Sequence, residues 1–421
     1  MDQISFFKKN KLIHIIKHVL DVAIVIYLLL IPLIIITGGI KVYILGIKIT
    51  ATHLYTPLTF LIPFILLRLF ITIEIKNFIL LLVSTIFSLL IMEISVRLLN
   101  PPLAKAGMHQ IHRSSNDFGW ELIPGSSGYG SCGEYISINS QGFRDKEFSR
   151  ERKSGIQRIM IIGDSFTFGM GVNLEETFSK KIGIILKNSG INCEVINCGV
   201  IGYNMWQYIE ILNKKILPLN PDLIVVGMFL NDIYQSIHPK LKDKNWKAYN
   251  PFDRKKSNIM SSFYIWNLFH NWNVLFETKY RARRGVNYLK GVKQRKEKLK
   301  DESSDHIWRK IMLGNLDNKK YIEFKRALSE FKMKSDSSGC DLLFIMIPDA
   351  GQLNEFELQE VNRFIAASCS KLDIPFIDVT EAFEKESDPR PLFLFPIDAH
   401  ISSKGHQIIA ELVSKQILAV N

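Results

Sequence analysis

An α/β domain built on a parallel sheet and preceded by membrane helices is the architecture this sequence predicts, on three observations. The first hundred residues carry long apolar runs, whereas the remainder has the mixed composition of a water-facing domain. From Gln157 onward, short apolar runs alternate with amphipathic helical patterns, as strands covered on both faces require. The first of these runs ends in Gly163-Asp164-Ser165 just before a helical pattern, placing a hydroxyl at the carboxyl end of a parallel strand. At 421 residues and 47% hydrophobic content, the chain is long enough to bury a substantial core.

Taken in order, residues 1–99 read as a membrane region of about three helices, the first from about Val19 to Ile40. The second, Leu54 to Ile73, contains Pro57, Pro63 and Arg68, and a charge there costs a few kcal/mol unless it snorkels or finds a partner. The third is Phe78 to Ile94. A cleaved signal peptide is the alternative for the first run, but it is long for a signal core and no small-residue cleavage site follows. Lys8, Lys9, Lys11 and Lys17 precede it, so the positive-inside bias puts the N-terminus in the cytoplasm. Three spans then place the large domain outside, a multi-pass cytoplasmic-membrane protein with membrane lipid as a partner; two place it inside.

Residues 100–154 form a connector. Asn100-Pro101-Pro102 breaks the last helix, and Ile123 to Tyr135 is Gly/Ser-rich loop with short extended pieces. The domain proper spans 155–421. Its strands are expected at Arg158–Ile162, Cys193–Asn197, Asp222–Phe229, Cys340–Ile347 and Pro375–Val379, with helices at Glu176–Asn188, from Trp206, and at His406–Leu418. Between the third and fourth strands, a stretch of about 236–336 breaks the rhythm. It reads as a helical insertion capping the sheet edge, with a helix around Tyr321 to Lys332. Residues 281–300 hold nine basic side chains and one acidic, against a net charge of +12. Such a run is a solvated helix face or an attractor for an anionic polymer or lipid; nucleic acid is not expected. The five cysteines, Cys132, Cys193, Cys198, Cys340 and Cys369, make neither a disulfide framework nor a metal site.

The chemistry-bearing residues sit at strand ends. Ser165 can present its hydroxyl while its own N–H lies near a helix N-terminus, although Asp164 and Ser165 are also ordinary helix starters. Asp398-Ala399-His400 precedes the closing helix, and alternate residues of an extended segment point the same way, so the carboxylate can hold the imidazole tautomer. His406, on the helix, reads as structural. The glycines of Asn197-Cys198-Gly199-Val200-Ile201-Gly202-Tyr203-Asn204, after the second strand, let backbone N–H approach a ligand, and Asn231 at the end of the third offers a side-chain N–H.

These four blocks, in this order, resemble the SGNH (GDSL-like) hydrolase family over roughly Gln157–Asp232 and Asp341–Leu418. The resemblance implies a flavodoxin-like three-layer α/β/α fold and cofactor-independent, metal-free ester hydrolysis. It implies Ser165 as nucleophile, His400 as base, Asp398 as its orienter, and an oxyanion hole formed by Ser165, Gly202 and Asn231. Three departures stand out: Phe166 where the family has leucine, Phe229 where it has glycine, and one residue rather than two between Asp398 and His400. The last leaves a Ser-His dyad helped by a backbone carbonyl as an alternative, and Asp232 reads as fixing the Asn231 loop. Upstream, Asn139-Ser140-Gln141-Gly142-Phe143-Arg144-Asp145 looks like a segment of some membrane-linked members, with a docking role across the sheet and Arg144 as a substrate contact; a turn with a surface arginine is the plainer reading.

The expected function is hydrolysis of an acyl, chiefly acetyl, ester on a bacterial cell-envelope glycan or lipid. An O-acyltransferase on an envelope polysaccharide is the alternative, separated only by whether water reaches the acyl-enzyme. A non-catalytic envelope-assembly protein is the third reading.

Overall fold

The computed structural model of the protein describes residues 2–37, 40–44, 47–51, 55–99, 108–130, 132–234, 236–239, 245–252, 263–268, 307–388, 390–394 and 398–420. The basic run at 281–300, much of the 236–336 stretch and the Asn100-Pro101-Pro102 break lie outside them. The chain divides into two units, Met1–Leu99 and Asn100–Asn421.

In the first unit, helix α1 (Asp2–Thr37) leads into an antiparallel hairpin, β1 (Ile40–Ile44) and β2 (Ile47–Ala51), then α2 (Tyr55–Thr72) and α3 (Ile75–Leu99). The first apolar helix therefore stops at Thr37 rather than Ile40, ahead of Gly38-Gly39, where two poor helix formers follow in sequence. Two helices, within Ile13–Leu30 and Ile75–Leu99, are long and apolar enough to cross a membrane, while the described apolar part of α2, Thr59–Thr72, is shorter. Val19, Leu29, Leu80 and Phe87 are all exposed. In α3 the hydroxyls of Ser84, Thr85, Ser88 and Ser95 bond back to carbonyls of their own helix, so these polar groups do not interrupt its apolar surface. Arg68 meets Asp21 across α1 and α2, Nε to Oδ1 at 2.7 Å and Nη2 to Oδ2 at 3.2 Å. The charge inside the second apolar run has found a partner.

The second unit opens with two small antiparallel hairpins, β3 (His112–Ser115) with β4 (Gly119–Leu122) and β5 (Ser127–Tyr129) with β6 (Tyr135–Ser137). Ile111, Leu122, Ile136 and Phe143 from this stretch are buried in the same core as the main sheet. That sheet is parallel and contains β7 (Gln157–Gly163), β8 (Cys193–Asn197), β9 (Leu223–Met228), β10 (Asp341–Met346) and β11 (Phe376–Asp378), in spatial order β8-β7-β9-β10-β11. Counted from β7, this is the flavodoxin-like order 2-1-3-4-5, whose direction reverses between β7 and β9. Ile159 to Ile162, Ile224 to Val226 and Phe344 to Met346 are wholly buried, because helices cover both faces.

On one face lie α5 (Phe178–Asn188) and the closing helix α11 (Ser403–Val420); on the other lie α6 (Met205–Ile211), α8 (Asn318–Ser337) and α9 (Glu360–Ser370). Helix α5 buries Phe178, Ile182 and Leu186, an i, i+4, i+8 stripe. It ends where Gly190 takes φ +87° and Ile191 N–H bonds back to Leu186 O at 3.0 Å. Short helices α4 (Ser165–Phe168), α7 (Ile307–Met312) and α10 (Thr380–Glu384) also belong to the unit. Helix α8, which contains the expected Tyr321–Lys332 helix, packs on β10 and α6. It is the crossover that parallel neighbours β9 and β10 need. From Asn318 on, the 236–336 stretch thus belongs to the sheet's own helical layer rather than to a cap.

Candidate active site

The site is built at the reversal point of the sheet. Gly163 pairs with Gly227 across β7 and β9. A Cβ on Gly163 would lie 2.0 Å from Thr167 Oγ1 and 2.7 Å from Gly227 O, and one on Gly227 would lie 2.5 Å from Thr167 Oγ1. Two glycines therefore let the first turn of α4 sit directly on the sheet. Asp164 caps that turn, its Oδ1 accepting Phe166 N–H at 2.9 Å. Ser165 is the first residue of the helix, where a backbone N–H has no intrahelical acceptor. The N-cap reading and the exposed-hydroxyl reading of this segment hold together: Asp164 caps, and Ser165 points its hydroxyl at the histidine loop.

His400 Nε2 lies 2.7 Å from Ser165 Oγ, and His400 Nδ1 lies 2.6 Å from Asp398 Oδ1. The same Oδ1 accepts the His400 backbone N–H at 3.2 Å. One intervening residue is therefore enough, because the carboxylate closes a turn onto its own chain and reaches the ring from there. Burial pushes the Asp398 carboxyl up, but the hydrogen bond and charge of His400 outweigh it and hold the group below the usual range. With Nδ1–H donating to an ionised Asp398, Nε2 is left with its lone pair toward the serine hydroxyl. The loop is fixed by Leu394 N–H to His400 O at 2.8 Å and Ser402 N–H to Leu392 O at 2.8 Å; residues 395–397 lie outside the described ones.

Asn231 Nδ2 donates to Tyr203 O at 3.3 Å, and its side chain offsets part of the burial cost of the Asp164 carboxylate. It thereby ties the loop after β9 to the loop after β8 and to the cap of α4. Gly202 sits on the exposed side of that second loop at φ +76°, a conformation that favours glycine. The loop is braced from the hairpin β3–β4, where Trp120 Nε1–H donates to Ile201 O at 3.0 Å and Tyr203 O–H donates to Trp120 O at 2.7 Å. Asp232 fixes the Asn231 loop as expected, accepting Phe229 N–H at 2.8 Å and Tyr208 O–H at 2.9 Å. Burial pushes the Asp164 carboxyl up to about 6, and burial together with Asp164 pushes Asp232 well up. Phe166 is buried, packing inward against Phe229 and His400. His406 is wholly buried, its Nδ1 accepting Phe178 N–H at 3.1 Å.

Arg144 corrects an expectation. It is wholly buried, and its guanidinium donates to Phe168 O, Gly169 O and Val172 O at 2.7, 2.6 and 2.8 Å. All three carbonyls belong to the turn leaving α4, so the side chain is engaged with main chain and is neither a substrate contact nor a surface arginine. Its neighbour Asp145 accepts Asn197 N–H at 2.7 Å and pairs with Lys180, so the segment does dock across the sheet. Glu134, which sequence reasoning passed over, accepts Gly171 N–H at 2.9 Å and Cys132 N–H at 3.0 Å. A lone acid within a Gly-rich loop was its only signal.

The model of the GDSL-like Lipase/Acylhydrolase family matches residues 161–408. Similar solved structures include the lipase/acylhydrolase from Enterococcus faecalis, at 14% identity and TM-score 0.36, covering 62% of this chain and 95% of that one. Another is an acetyl xylan esterase, at 13% identity and TM-score 0.37, covering 62% and 99%. A third is a variant of an acetyl-xylooligosaccharide esterase from Geobacillus Stearmophilus, at 12% identity and TM-score 0.36, covering 63% and 96%. No curated protein matches the chain.

Proposed function

Because this chain belongs to the GDSL-like lipase/acylhydrolase family and is a hydrolase of ester bonds, we propose that it is a serine esterase with Ser165 as nucleophile, removing a short acyl group from a cell-envelope glycan or lipid. The observation that carries this reading is the unbroken relay from Ser165 Oγ through His400 to Asp398, at 2.7 and 2.6 Å. Nε2 takes the hydroxyl proton as Oγ attacks the ester carbonyl carbon. The negative charge that develops on the carbonyl oxygen is met by the N–H groups of Ser165, Gly202 and Asn231, each such donor worth about 2.7–4 kcal/mol. Asn231 Nδ2 donates to Tyr203 O at 3.3 Å in the free enzyme, a bond it exchanges for the oxyanion. Collapse breaks the bond to the leaving alkoxide, which takes the proton from Nε2. Water then gives a proton to Nε2 as its oxygen attacks the acyl carbon, and collapse breaks the bond to Ser165 Oγ, which takes that proton back from Nε2 as the carboxylic acid leaves.

The two long apolar helices and the lysines before the first support membrane anchoring, with lipid as a partner and an envelope substrate within reach. The ion pair of Arg68 with Asp21 favours α2 as a further span and thereby an outward-facing catalytic unit. The test is to assay full-length protein in detergent against a short acyl ester beside Ser165→Ala. Turnover lost in the variant is expected; equal rates in the two would overturn the reading.

A further inference from the structure

Two of the family departures, Phe166 and Phe229, meet in space. Their rings stack with centroids 4.1 Å apart and planes 27° apart, and the Phe166 ring lies 4.6 Å from the His400 imidazole. Phe166 is 4% exposed and Phe229 7%. The pair thus runs from the histidine loop to the end of β9, two residues before Asn231. It places aromatic carbon beside the expected base and, along the chain, close to an expected oxyanion donor.

An ester carbon bonded to Ser165 Oγ has three further directions. Its oxyanion faces the N–H donors, and its leaving or attacking oxygen faces His400 Nε2. The acyl chain takes what remains, beside a stack that adjoins both. A leucine and a glycine at these positions would leave that volume open; two stacked rings close it and, held on two elements, do not swing aside easily. We propose that the Phe166–Phe229 stack is a specificity-determining wall of the acyl site, restricting the substrate to acetyl-sized acyl groups. This deepens the reading of Ser165 as nucleophile and rests on it.

The experiment takes full-length protein in detergent, with Phe229→Ala, Phe229→Leu and Ser165→Ala beside the unaltered chain, against p-nitrophenyl acetate, butyrate and octanoate. Phe229→Leu keeps the core filled should Phe229→Ala fold poorly. In the unaltered chain kcat/KM is expected to fall steeply from acetate to octanoate. The octanoate-to-acetate ratio is expected to rise about tenfold or more in Phe229→Ala, with a lower KM for octanoate, and to rise less in Phe229→Leu. A ratio unmoved in both variants, while acetate turnover still depends on Ser165, overturns the wall alone. An equal loss on all three esters overturns it too, since a structural role lowers every substrate together. No Ser165-dependent turnover of any ester by the unaltered chain sinks the underlying reading and the wall with it.

Discussion

Asp398 reaches His400 across a single intervening residue, with one carboxylate oxygen serving both the ring Nδ1–H and the backbone N–H of the same histidine. The double contact orients the ring without help from a backbone carbonyl. Asp398→Asn is therefore expected to lower kcat by about 10²–10⁴-fold with KM little changed, because the imidazole loses both its tautomer and its counter-charge. Steady-state kinetics on a short acyl ester measure it; a loss below about tenfold would favour the dyad. The sign of the pH dependence follows from the depressed carboxyl. It is ionised above 3.8, its stabilisation is complete there, and that stabilisation fades only as pH falls further, so it sets no activity limb near neutrality.

Arg144 gives a prediction about stability rather than binding. Removing its guanidinium in Arg144→Ala leaves three buried carbonyls without that donor, at about 1–3 kcal/mol for each group left unsatisfied. The denaturant midpoint should drop sharply, and Arg144→Lys should recover only part, since an ammonium cannot span the same fork. A substrate contact would behave oppositely, raising KM and sparing the midpoint.

Asp164 carries a pH signature of the opposite sign to Asp398. Its buried carboxyl, pushed up to about 6, holds its proton more tightly than the unfolded chain does. That contribution to stability is present below 3.8 and is lost as pH rises to about 6. Asp164→Asn keeps a neutral acceptor for Phe166 N–H and removes the titration. Thermal melts at pH 4, 5, 6 and 7 should show the variant gaining on the unaltered protein as pH rises, with no further gain above 6. Parallel curves would count against the assignment.

What could be read in the chain was local. The five strands announced themselves as apolar runs, and Ser165, Asp398 and His400 sit in short segments whose neighbours, a strand end and a helix start, were visible beside them. The role of Arg144 is not legible because its partners lie 24 to 28 residues away and are carbonyls, which leave no mark in a sequence. Trp120, bracing the Gly202 loop across more than eighty positions, was missed for the same reason. Strands β3 to β6 are only three or four residues long, too short for a period to emerge. The role of α8 as a crossover depends on which strands are neighbours, and that is a property of the assembled sheet. Asp232 was foreseen because it needed only its position next to Asn231.

The pairing of Arg68 with Asp21 makes the second apolar helix testable as a membrane span. In hydrocarbon, a lone carboxylate or guanidinium is costly, and each half of the pair offsets the other's charge. Arg68→Leu strands Asp21, Asp21→Leu strands Arg68, and the double leucine variant strands neither. If the pair lies within the bilayer, each single change should lower the amount of monodisperse protein extracted in detergent severalfold, while the double variant returns toward the unaltered level. Singles that match the unaltered protein would place the pair in headgroup water and remove the case for α2 crossing. The count of crossings then fixes the side on which Ser165 works. If the positive-inside bias holds and the N-terminal lysines lie in the cytoplasm, three crossings put the C-terminus outside, where a fused alkaline phosphatase after residue 421 is active. Two crossings leave it inside, where a reporter that works only in the cytoplasm would light up instead and an envelope substrate would be out of reach.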